Sequence, residues 1–193
     1  MTIPSGYAQA NLKFGHLAAP SGAEVTLGLD ISGFSGDPSD LAEAVYNSFQ
    51  ARVLPWLSAA IELRGCLVKF GPDATGPSGL YTEVAAGGDT DPGASAAVAY
   101  LVQKVTGSGG RAGRGRMYVP GVAEGAVTAS GTVASGKLTA LQDGFDDFHD
   151  DLSAGPFGPV VLHGPASPLS TPTPITSFVV SGTVATQRQR QRR

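Results

Sequence analysis

The sequence predicts an α+β domain in which a mainly antiparallel sheet carries two helices packed on one face. Three observations lead there: alternating apolar residues open the chain, two separate segments repeat apolar residues every three or four positions, and each of these is followed by more β-type sequence. A β-sandwich or a jelly-roll with a flanking helix is the alternative. A length of 193 residues fits a single domain over 1–193, with a projecting β-arm at about 96–122 and an arginine-rich tail at 187–193.

Val25, Leu27, Leu29 and Ile31 alternate with Thr26, Gly28 and Asp30, the pattern of a half-buried strand. Leu12 and Phe14 keep the same rhythm upstream, and Ala19 to Gly22 supplies turn residues between the two, so a hairpin opens the chain. Asp37-Pro38-Ser39-Asp40 starts a helix: Asp37 caps free N–H groups, Pro38 suits the first helical position and Asp40 favours the positive end. Leu41, Val45, Phe49 and Val53 form its core stripe, Pro55 kinks or ends it, and Trp56 is expected as a core anchor at its exit.

Ile61, Leu63, Leu67, Val68 and Phe70 predict a long strand with Gly65 as a bulge. Residues 80–84, LYTEV, read as a short strand, and 85–94 as a polar loop. Residues 96–106, AAVAYLVQKVT, read as a strand, with a short buried helix as the other possibility. RMYVPGV at 116–122 resumes as a strand that Pro120 and Gly121 stop. From Leu138 the spacing is helical, with Leu141, Phe145, Phe148 and Leu152 on the apolar side and Asp143, Asp146, Asp147, Asp150 and Asp151 around the rest. Gly155 and Pro156 end that helix, and PVVLHG and ITSFVVSGTVATQ supply two further strands.

Charged residues make up only 15% of the chain, against about 25% in an ordinary soluble protein, while hydrophobic residues reach 41%. A surface so poor in charge fits a subunit that covers much of itself with neighbours. The net charge of −3 argues against a chain whose main business is coating nucleic acid. Seven of the thirteen basic residues nonetheless fall in two short segments: Arg111, Arg114 and Arg116, and Arg188, Arg190, Arg192 and Arg193. Such concentration marks a loop or tail with a partner. Cys66, the single cysteine, lies in an apolar run and reads as a buried small hydrophobe. No stretch has the length of an apolar membrane span and the N-terminus has no signal-peptide pattern, so the expectation is a chain assembled in a cytosol and without a membrane partner.

No cofactor, metal or catalytic site is expected. The glycine-arginine run at 107–116 has no Gly-Lys-Ser/Thr ending and leads into a strand, unlike a phosphate cradle that opens a helix. Its guanidinium groups suit carboxylates of an adjacent subunit; contact with nucleic acid and a merely solvated loop are the other readings. His149 with Asp146 and Asp150 has helical spacing that a metal could use, but the stripe through Phe145 and Phe148 turns these groups toward solvent or a partner. His16 and His163 follow strand-like runs and read as structural. There is no Gly-x-Ser-x-Gly elbow, and a small enzyme built on His149 trails the other readings.

Three stretches carry a resemblance: LPWLSAAIELRGCLVKFGPDATGP, AYLVQKVTGSGGRAGRGRMYVPGV and PTPITSFVVSGTVATQRQRQRR. With the acidic helix and VVLHG between them, they resemble small virion proteins of tailed bacteriophages, especially of actinobacterial hosts. The resemblance spans most of the chain, and GRGRMYVPGV and VATQR are its most specific parts. It implies a structural subunit of the neck or tail, such as a tail terminator or head-tail connector, forming a homo-oligomeric ring with six-fold symmetry as the best guess. A capsid, decoration or minor coat protein whose arginine tail meets the packaged genome is the second possibility. The resemblance carries over no residue with an established role.

Overall fold

In the computed structural model, residues 3–16, 19–89, 97–106, 116–122, 133–162 and 171–184 are described. The opening alternation pairs into an antiparallel hairpin of β1 (Tyr7–His16) and β2 (Ala19–Asp30), with Ala8, Ala10 and Leu12 opposite Leu29, Leu27 and Val25. All six are buried. The stretch from Ala19 to Gly22 is strand rather than the expected turn. The register of the hairpin slips between Phe14 and His16, where His16 pairs with Ala19.

On the other side of β1 lies β3 (Ile61–Phe70), whose register slips around Arg64. Gly65 stands at this bulge with φ +143°, and a Cβ there would fall 2.5 Å from the Tyr81 oxygen. Both the backbone angle and the lack of space require glycine.

The remaining strands are β4 (Ser78–Tyr81), β5 (Ala85–Ala86), β6 (Ala97–Thr106), β7 (Arg116–Val122), β8 (Gly158–Val161) and β9 (Thr173–Val184). They complete a nine-stranded sheet in the order β4-β3-β1-β2-β8-β9-β6-β7, with β5 beside β3, and every pair of these strands is antiparallel. The α+β class is therefore the observed one. Of LYTEV only Leu80 and Tyr81 are strand, and β6 is a strand throughout. Pro120 and Gly121 do not stop β7, which continues to Val122 with Pro120 opposite Ala99. Among the described residues β7 is the last strand in the order, and an edge strand is where a proline is tolerated.

Asp37 caps α1 (Pro38–Arg52) as its sequence requires: its carboxylate accepts from the Ser39 and Asp40 N–H groups, and Asp40 accepts from the Asp37 N–H. Leu41, Val45, Phe49 and Val53 are all buried. The second helix, α2 (Ser135–Ala154), begins one turn before the first residue of its apolar pattern and buries Leu141, Phe145, Phe148 and Leu152. Edge-to-face ring contacts run from Phe14 on β1 to Phe49 on α1, then to Phe145 and Phe148 on α2; Phe145 continues edge-to-face, and Phe148 stacked, onto Phe178 of β9. Both helices thus sit on one face of the sheet and share one core.

Trp56 is not the anchor that its position after Pro55 predicts, since 47% of it is exposed and Leu57 is buried instead. Its indole lies over Gly144 of α2, where a Cβ would also come 2.5 Å from the Arg52 carbonyl oxygen. The close approach of the two helices leaves no room for the ring beneath it. Arg52 ties the same crossing to Asp151 and Asp147 of α2, at 2.9 and 3.4 Å.

Because β8 is only four residues long, it pairs with β2 at Gly28–Asp30 and with β9 at Thr173 and Pro174, and beyond it those strands part. Backbone groups exposed by this parting are met by side chains. The Lys104 ammonium donates to the Thr26 oxygen of β2 at 2.8 Å. Gln142 of α2 donates to the Phe178 oxygen at 2.7 Å and accepts from the Val180 N–H at 2.9 Å. His149 donates from Nε2 to the Ile175 oxygen at 2.8 Å. Gln142 and His149, two helical turns apart, clamp α2 along the open edge of β9.

Candidate interaction surface

The antiparallel pairing of β6 with β7 makes a hairpin whose connecting residues, 107–115, carry Arg111 and Arg114. Those two arginines lie outside the described residues, as do Arg188, Arg190, Arg192 and Arg193. Arg116 is described: it is the first residue of β7, exposed, opposite Gln103.

Alternation along β6, β7 and β9 divides their side chains between two faces. Tyr100, Val102, Met117, Val119 and Phe178 turn into the core. The outer face is built in rows across the strands: Ser181, Leu101 and Tyr118 form one, and Val179, Gln103 and Arg116 the next. Tyr118 is 62% exposed and Val179 44%, while Leu101 beside Tyr118 is half-buried. None of these three strands contains Asp or Glu.

The carboxylates of α2 point the other way, away from the core that Phe145 and Phe148 share with Phe178. Asp143, Asp146, Asp147 and Asp150 are exposed. Asp151 is held by the Arg52 guanidinium and by the Ser48 hydroxyl, and its carboxyl lies below the ordinary range chiefly because of the hydrogen bond from Arg52. Asp146 accepts from Gln142.

His149 departs from expectation. Rather than facing solvent or a partner, its ring is largely buried, with one nitrogen on the Ile175 oxygen and an edge-to-face contact with Phe178. Asp150 lies 3.5 Å from the other nitrogen. Among the described residues no three His, Cys, Asp or Glu side chains converge as metal ligands. His163 and the side chain of His16 lie outside the described residues. Cys66 is buried as its apolar run indicates, and burial pushes its thiol up to about 12, away from thiolate chemistry. Among the described residues, no helix is long and apolar enough to cross a membrane.

Composition singles out the arginines and the acidic helix, but the outer sheet face is missed because alternation reports that a face exists and not whether anything covers it. Gln142 was missed as well; its place seven residues before His149 is the only sequence signal it carries. No family model matches the chain, and no curated protein or solved structure matches it.

Proposed function

We propose that the chain is a structural subunit of a bacteriophage virion, a ring-forming tail terminator or head-tail connector at the neck, assembled in the host cytoplasm. The observation that carries this reading is the antiparallel pairing of β6 with β7, with Arg116 exposed as the first residue of β7 and Arg111 and Arg114 in the sequence that connects the two strands. A glycine-rich connection bearing guanidinium groups is suited to the carboxylates of an adjoining subunit. The low charge of the chain and its resemblance to small phage virion proteins support the same reading. Its partners are copies of itself and the neighbouring neck or tail proteins. A shell or coat protein whose arginines meet the genome is the second reading, favoured by the four arginines within the last six residues.

The two are separated by replacing Arg111, Arg114 and Arg116 with alanine in the full chain and following assembly in nuclease-treated, DNA-free material. The subunit-contact reading predicts loss of assembly with stability changed by no more than about 0.5 kcal/mol, because these substitutions remove no core. Normal assembly with lost nucleic-acid retention and a flatter salt dependence would select the genome-facing reading instead.

A further inference from the structure

We propose that the outer face of β6, β7 and β9 is the seat of a second copy of this chain, which docks on it through the acidic side of its α2. This rests on the ring-forming reading and specifies which surfaces make the ring. Four observations select the occupant. The face is partly apolar and open, with Tyr118 and Val179 exposed beside Leu101. Its strands carry no acidic residue, and Arg116 is the charge on this side, Lys104 being turned inward. On the opposite side of the same leaf, α2 exposes Asp143, Asp146, Asp147 and Asp150. Asp143 and Asp146 have no cationic partner among the described residues.

Charge then decides the geometry of association. Two copies meeting outer face to outer face would bring Arg116 against Arg116, and two meeting helix to helix would oppose rows of carboxylates. Placing the acidic helix of one copy on the arginine-bearing face of the next pairs opposite charges. Since the two surfaces point in opposite directions, this contact is head-to-tail, the kind that closes into rings. Tyr118 supplies an amphipathic, exposed ring on β7, the residue type that anchors such contacts.

The test uses the full chain as R116E, as D143K/D150K, and as an equimolar mixture of the two, with sedimentation velocity as the readout and thermal unfolding as the control for folding. Each variant alone is expected to weaken association by roughly tenfold or more, and Y118S to weaken it without any change of charge. The mixture is expected to restore assembly, because alternating copies pair opposite charges at every contact. If the unsubstituted chain assembles and the variants assemble equally well, the docking face is wrong and the ring reading stands. If R116E alone is defective, or the mixture is not restored, the helix is not the occupant. If the unsubstituted chain stays monomeric at high concentration, the ring reading fails and this contact with it.

Discussion

Lys104 follows Tyr100 and Val102 at two-residue spacing, so alternation alone puts its ammonium on the core face of β6. There it satisfies the Thr26 oxygen where β2 and β9 part, and burial pushes it down from 10.5 to about 8. Between those values the unfolded chain binds more protons than the folded one, so Lys104 makes stability rise with pH across that window; below about 8 the cost of the buried charge is fully present. Tyr46 and Cys66, both raised to about 12 chiefly by burial, act in the opposite sense, because they ionise earlier in the unfolded chain. The contribution of Lys104 is therefore read by difference. Urea unfolding of the wild type and of K104M at a series of pH values should show the wild type gaining on the variant as pH climbs from 7.5 toward 10.5. A difference that stays flat would contradict the assignment. Alternation placed this side chain on the inner face, yet a lysine among strand residues reads as exposed, and only the short reach of β8 explains why a cation is wanted there.

At the level of elements, the parts whose causes are local were legible. Asp37, Pro38 and Asp40 specify the start of α1 by their own hydrogen bonds, Gly65 marks the bulge in β3, and the aromatic positions of α2 find the core. What holds α2 to the sheet was not legible, since Gln142 and His149 act on backbone groups of β9 more than two dozen residues away. Trp56 misleads for a related reason: the closeness of α1 and α2 at Gly144, invisible in sequence, excludes the ring from the core. Gln142→Ala leaves the Phe178 oxygen and the Val180 N–H without their side-chain partner and is expected to cost about 1 to 3 kcal/mol in chemical unfolding. H149A is expected to be destabilising in the same range, unlike the near-neutral outcome its apparent exposure in sequence predicts. D143N, at an exposed helix position, serves as the control and should change stability by no more than about 0.5 kcal/mol. Equal stability of all three variants would show that the α2–β9 seam does not depend on these bonds.

For the whole molecule, the sheet and its two helices separate two surfaces of opposite character: an outer strand face with Arg116 and the exposed Tyr118 and Val179, and a helix side lined with carboxylates. Composition foreshadowed such a division, since a chain with 15% charged residues concentrates its arginines in two segments and five aspartates in one helix. The sequence could not show that these groups lie on opposite sides, because that depends on how β9 and β6 carry α2 relative to β7. A subunit so polarised is expected to add head-to-tail until the chain of copies closes. The measurement that tests this most directly is the mass of the purified full chain in solution over a wide concentration range, combined with the rotational symmetry of its electron-microscopy class averages. A single closed species, six-fold by the best expectation, that dissociates when Arg111, Arg114 and Arg116 become alanine would bear out the account. Monomers persisting at the highest concentration, or open filaments without closure, would contradict it.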